Sequence, residues 1–266
     1  MIGVSDTQSV ANNTRKIGPC LLGPISGETA QTRGASVGHA LATNRAVDLL
    51  VSDGDDSFET ALLPESHRAA YCSPTSAVDG AATLDPIVTQ YDPAVVVLKR
   101  QTEQHLIDEL FSDRAERLSR NTNVLTVDGR GDADRIASIL VPIAGGDHSQ
   151  LALETALALA AANDAAVDLF HVIEADTAEA RTEGRQLLDA VESTVNPEDR
   201  DRIDTWLYET PGAAEAITEQ SEYYDLTVMG APTDSPLKRF VFGSTSKQVQ
   251  REAASPVIVA HSQRSE

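Results

Sequence analysis

ILVPIAGGDHSQLALETALALAAANDAAVDLFHV, residues 139–172, is the stretch whose reading decides the fold. Residues 139–143 are an apolar run of strand length, Gly145 and Gly146 punctuate it, and a longer segment follows in which Leu153, Leu157, Ala160 and Ala161 recur at helical spacing. Residues 167–172 are a second apolar run with too few polar positions for an exposed sheet, so they read as a central strand buried on both faces. Strand, crossover helix and strand make a β-α-β unit, and its strands run parallel. Asp147 and Gln150 have the spacing of a capping box, which opens a helix over 148–163 and leaves His148 facing solvent in its first turn.

Downstream the alternation continues. An acidic helix is predicted over 177–195, a strand over 203–208, and a helix over 211–223 with Pro211 in its first turn. A fourth strand covers 226–229, a last helix 245–253, and a fifth strand 257–260 after Ser255-Pro256.

Upstream the same text recurs in diverged form. CLLGPISGETAQTRGASVGHALATNRAVDLLVS, residues 20–52, sets Pro24 against Pro142, Ile25 against Ile143, Gly27 against Gly145 and Val47 against Val167. Tyr91-Asp92 matches Tyr224-Asp225, and 124–127 matches 257–260, at one constant offset. The chain is therefore a divergent tandem repeat. A flexible tail is expected over 1–16, a first unit over 17–127, a polar linker over 128–135 and a second unit over 136–261. Between Asp53 and Tyr91 the first copy is shorter and irregular, with Pro64, Pro74 and Pro86.

Composition narrows the partners. Asp and Glu number 41 against 21 Lys and Arg, a formal net charge of -20, which repels nucleic-acid phosphates and anionic lipid surfaces alike. Acidity spread along the chain, Arg-rich basic positions and only 4% aromatics resemble the style of a salt-in halophile, although an ordinary acidic cytosolic protein is the other reading. Cys20 and Cys72 have no metal-type spacing. The start lacks the apolar run of a signal peptide, and no run of about 18 apolar residues is present, so a soluble, cytoplasmic protein is expected.

The chemistry concentrates in MGAPTDSPLKRFVFGSTSKQV, residues 229–249, directly after the fourth strand of the second copy. Glycines let a backbone approach a phosphate, and amides at a helix start face an anion with the positive end of the dipole. Gly243 with Ser244, Thr245 and Ser246 supplies such a nest, and Lys238 and Arg239 offset the acidic field nearby. The same residues also read as a structural turn and helix cap. No Ser-His-Asp set, HExxH or paired-cysteine motif is present, so no catalytic residue and no enzyme activity are expected. His171 is expected as a satisfied interior or edge histidine. The carboxylates Glu174, Asp176, Glu179, Glu183, Asp189 and Glu192 read as a solvated face rather than a metal site.

Five parallel strands, a tight turn after the first and a Gly-loop-Gly-Ser stretch after the fourth together resemble the universal stress protein family, here as two copies in one chain. The resemblance implies an α/β fold of two tandem doubly wound parallel five-stranded sheets, strand order 3-2-1-4-5, related to the Rossmann-like adenine nucleotide alpha hydrolases. It implies an internal pseudo-dimer with 123–127 and 257–260 in contact, and leaves a further homodimer open. The family's loop pattern of three glycines and a Ser or Thr falls on Gly230, Thr233, Gly243 and Ser244. Thr233 departs from it, as does Ala144, which stands where nucleotide-binding members have an Asp. Pro142, Ile143, Val172 and Met229 would then wall an adenine slot, and Gly243 to Ser246 would hold phosphates. In the first copy the motif positions become Val97, Arg100, Leu110 and Phe111, with Ser26 in the turn, so no site is expected there.

The resemblance thus implies a stress-response or regulatory module that binds ATP or a related adenine nucleotide through its second copy. The alternative is a nucleotide-free interaction protein regulating a transporter or enzyme. An enzyme of a related adenine-nucleotide-dependent family is disfavoured, because residues 144–147 are short for a phosphate loop after the first strand.

Overall fold

A computed structural model of the chain describes residues 20–22, 28–52, 70–72, 84–100, 115–128, 135–231, 248–249 and 252–263. The first half contributes β1 (Cys20–Leu22), α1 (Glu28–Arg45), β2 (Leu49–Ser52), β3 (Ala70–Cys72), α2 (Asp85–Tyr91), β4 (Val95–Arg100) and β5 (Asn123–Asp128). The second half contributes β6 (Ser138–Pro142), α3 (Gly146–Asn163), β7 (Ala166–Ile173), α4 (Ala178–Ser193), β8 (Ile203–Glu209), α5 (Ala213–Gln220), β9 (Leu226–Gly230) and β10 (Val257–His261).

These strands form a single ten-stranded sheet in the order β3-β2-β1-β4-β5-β10-β9-β6-β7-β8, where the sequence led us to expect two five-stranded sheets. The join is antiparallel, with Ile258 of β10 opposite Val127 of β5 and His261 opposite Val124. All other pairings in the sheet are parallel. Each half ends in a strand with an unpaired row of N–H and C=O groups, and each satisfies the other.

Alternate residues of a strand point to opposite faces, and the two faces are covered differently. On one face Val95, Val97, Leu125, Val127, Ile139, Val141, Ile258 and Ala260 belong to a single core that runs through both halves. α1 and α3 pack against each other over this face, and both are rich in alanine, which lets helices approach closely. On the other face the cores are separate: Leu21, Val96, Leu98 and Val124 in the first half, Leu140, Phe170, Met229 and Val259 in the second.

Local boundaries depart from the sequence reading where backbone geometry decides. α3 opens at Gly146 behind an N-cap Gly145 with no side-chain cap, so the Asp147–Gln150 box does not form. The chain enters the helix through φ of 84° at Gly145 and 78° at Gly146, conformations that favour glycine, and Asp147 is carried into the first turn. Ser149 ties the turn instead: its Oγ accepts from the Ala144 N–H (3.3 Å) and donates to the Gly145 carbonyl (3.1 Å). Thr177 caps α4, accepting from the Ala180 N–H at 3.1 Å.

Pro211 falls outside α5, whose N-cap is Gly212. β7 is not buried throughout, since His171 and Val172 are partly exposed. β5 runs on to a buried Asp128, the first residue of the stretch read as linker. The expected tail 1–16 and most of the last helix lie outside the described residues.

Candidate functional site

In the second half the chain leaves β6 for β7 on one side, while β9 is followed by β10 on the other. The crevice beyond the C-terminal ends of β6 and β9 is therefore a topological switch point, the place where doubly wound sheets bind ligands. Six of the expected site residues meet at this edge. Pro142 ends β6 and Ile143 follows it, both buried, Ala144 is exposed in the turn, Val172 is near the end of β7, and Met229 and Gly230 end β9. They divide between faces: Ile143 packs into the core under α1 and α3, whereas Met229 and Val172 belong to the opposite core with Phe170. Thr233, Gly243, Ser244, Thr245 and Ser246 lie outside the described residues, as do Lys238 and Arg239.

Gly230 has a role the sequence reading did not assign. A Cβ there would stand 2.8 Å from the carbonyl carbon of His148 and 3.0 Å from its Cβ and carbonyl oxygen. The missing side chain makes room for the first turn of α3, where a phosphate was expected to pass. In the same core as Val172, Phe170 packs on Trp206 with ring centroids 4.4 Å apart and planes tilted by 45°, and Tyr208 lies 5.8 Å from Phe170.

The histidines are built into this edge. His148 does not face solvent: its Nδ1 accepts from the Ser262 N–H at 2.9 Å and lies 2.7 Å from Ser262 Oγ. His171 Nδ1 lies 2.7 Å from the Ile143 carbonyl, which can only accept, so this nitrogen carries the proton and fixes the end of β6. Burial, and then the neighbouring His148, push the His261 imidazole down to about 4. The His148–Ser262 contact joins positions 114 residues apart, and no local signal could have announced it.

Other features serve the frame. Asp225 Oδ2 accepts from the N–H groups of Ala137 and Ser138 at 2.8 and 3.0 Å, pinning the start of β6. Its neighbour Tyr224 donates to Asp168 at 2.5 Å, and burial together with that carboxylate pushes its phenol up. The repeated Tyr-Asp pair is thus structural in the second half. On α4 the exposed Arg181 is held by Asp176 and, at 3.4 Å, by Glu209. In the first half Val97 is buried in the shared core and Arg100 ends β4, while Leu110, Phe111 and Ser26 lie outside the described residues. Among the described residues no helix is long and apolar enough to cross a membrane.

A parallel α/β half-sheet with a topological switch point defines a doubly wound module. Residues 136–261, the half that carries this crevice, match the universal stress protein family. A comparison with curated proteins finds no match. Solved structures share the fold across both halves. A universal stress protein from Archaeoglobus fulgidus DSM 4304 aligns with a TM-score of 0.58 at 13% identity, covering 94% of this chain and 97% of that one. The cytoplasmic domain of a prokaryotic cation chloride cotransporter aligns at 0.60 with 14% identity, again over 94% and 97%. A functionally unknown protein from Pseudomonas aeruginosa PAO1 gives 0.59 at 18% identity over 92% of each chain. At these identities the likeness is one of fold.

Proposed function

We propose that the chain is a cytoplasmic stress-response or regulatory module, without enzymatic activity, that binds ATP or a related adenine nucleotide through residues 136–261. The family match over that half is the observation that carries the reading. The placement of Pro142, Val172 and Met229 at the C-terminal ends of β6, β7 and β9 supports it, with Ile143 turned into the core on the other face. In this reading Gly243, Ser244, Thr245 and Ser246 hold the phosphates on a helix start, and Thr233 shapes the loop between. The first half, a degenerate copy with no glycine at the motif positions, completes the sheet and binds nothing. The acidic surface suits a salt-rich cytoplasm.

A second reading has specific support. Ala144 offers no polar anchor in the turn, and His148 occupies the space Gly230 leaves, both of which suit a nucleotide-free scaffold. The fold shared with the cotransporter's cytoplasmic domain points to a transporter or enzyme as the regulated partner in that case. Purification in molar salt, denaturation and mass analysis of the released small molecules separate the two. An adenine nucleotide in stoichiometric amount is the expected result, and its absence with no gain in thermal stability on adding millimolar ATP favours the scaffold.

A further inference from the structure

Among the described residues β8 pairs with β7 alone and forms one rim of the sheet, while the other rim, β3, is only three residues long. The Thr210 N–H, one residue past β8, donates to the Ile173 carbonyl at 3.1 Å. Successive residues of a strand turn their N–H and C=O to opposite edges, so Asp204, Trp206 and Tyr208 face β7 with theirs, and Ile203, Thr205, Leu207 and Glu209 face outward. The Ile203 N–H is taken by the Arg200 carbonyl. The N–H groups of Thr205, Leu207 and Glu209 and the carbonyls of all four outward residues remain as a row with no partner among the described residues.

A rim of this kind is guarded by lysine, proline, a bulge or shortness. β8 has none of these: its sequence IDTWLYE keeps one unbroken register with β7 over seven residues. Thr205 is exposed, and Trp206, Leu207 and Tyr208 are half-buried. Two carboxylates stand on the strand, and that of Glu209 is met by Arg181 at 3.4 Å. The seam inside the molecule shows what two such rims do in this chain. β5 and β10 pair antiparallel, and α1 buttresses the joint by sending the buried Arg33 to the carbonyl oxygen of Asp128, the last residue of β5, at 2.7 Å.

We propose that β8 is the docking edge for β8 of a second copy of the chain, the two strands running antiparallel about a twofold axis normal to the sheet. Such an axis sets one residue against its own copy, and charge decides which. Centred on Asp204 it opposes that carboxylate to itself, and centred on Thr205 it opposes Glu209 to Asp201. Centred on Trp206 or on Leu207, no carboxylate faces another and the outward N–H and C=O groups are used most fully. In either register Trp206 meets an aromatic ring of the second copy, its own counterpart or Tyr208. With Trp206 at the centre, Tyr208 faces Asp204, and a phenol donates to a carboxylate as Tyr224 does to Asp168 at 2.5 Å. A twofold contact closes at two copies. Each chain carries a formal net charge of -20, so the pairing needs salt, which at 1 M cuts the screening length to about 3 Å. It stands whether or not the β6–β9 crevice takes a nucleotide.

The test is sedimentation equilibrium of the whole chain in constant molar salt, from about 1 μM to about 1 mM, with Trp206 emission followed over the same range. Trp206 is the sole tryptophan. Mass should rise from one chain to two, and the emission should move to shorter wavelength on the same curve. Thr205→Pro removes an outward N–H and leaves the β7–β8 ladder intact. It should weaken the dimer at least about thirtyfold, from one hydrogen bond lost in each copy. Thr205→Asp, at an exposed position where the fold tolerates it, sets a carboxylate beside or against Glu209 of the second copy and should weaken the dimer likewise. A chain that stays single up to about 1 mM overturns the docking edge, as does a dimer that Thr205→Asp leaves unchanged or that forms without moving the Trp206 emission.

Discussion

A methyl group on Gly230 would stand 2.8 Å from the backbone of His148, closer than Cβ atoms come to any neighbour, so Gly230→Ala must push β9 and α3 apart. We expect a loss of about 1–3 kcal/mol in urea unfolding, the usual cost of overpacking. Gly145→Ala should cost a similar amount, about 1–3 kcal/mol, for a different reason: φ of 84° with ψ of 171° is a region nearly restricted to glycine. His261 makes a prediction in pH. Its imidazole titrates near 6.5 when unfolded and near 4 when folded, so between those values only the unfolded chain binds the proton. Stability from this group is whole above pH 6.5 and falls as pH drops toward 4, by up to about 3 kcal/mol. The difference between the urea midpoints of the native chain and His261→Gln should follow that curve, and a difference independent of pH would contradict it.

Elements were legible in the sequence to the extent that their signals are local. The β6-α3-β7 unit showed through its switch from an apolar run to helical spacing, and β10 through Ser255-Pro256. The entry to α3 was misread because Asp147 and Gln150 satisfy a capping pattern, while two glycines with positive φ set the turn two residues earlier. Of the site, the apolar walls Pro142, Val172 and Met229 could be placed by strand position, but the packing role of Gly230 could not, since it depends on where α3 begins. Arg33 was equally silent: a lone arginine in a helix gives no sign that it reaches a carbonyl 95 residues away. Burial lowers its pKa, with the Asp128 charge opposing, so its place has been secured against desolvation by hydrogen bonding. Arg33→Met should lower stability by about 2 kcal/mol in urea unfolding, the scale of a hydrogen bond to a charged group, and no loss would show the Asp128 contact to be idle.

At the scale of the whole molecule, the family resemblance set 123–127 against 257–260 as the contact between two units, and the antiparallel pairing of β5 with β10 turns that contact into the seam of one continuous sheet rather than an interface between two. The shared core gives the merger its weight: Leu125 and Val127 from one half and Ile258 and Ala260 from the other lie in one apolar layer under α1 and α3. The second half made alone, residues 136–266, would expose the β10 edge and the apolar side of α3 together. It should self-associate through β10 in sedimentation experiments, whereas a stable monomer would contradict the role given to the first half.

Under the proposed function, the merger gives a copy without a glycine loop a structural part in the sheet and leaves one nucleotide site per chain. Calorimetric titration of the whole chain with ATP in molar salt tests this most directly. One site per chain is predicted, lost in Gly243→Val with Ser244→Ala and untouched by Arg100→Ala. No binding heat at millimolar ATP, two sites per chain, or loss of binding from the Arg100 change would contradict it.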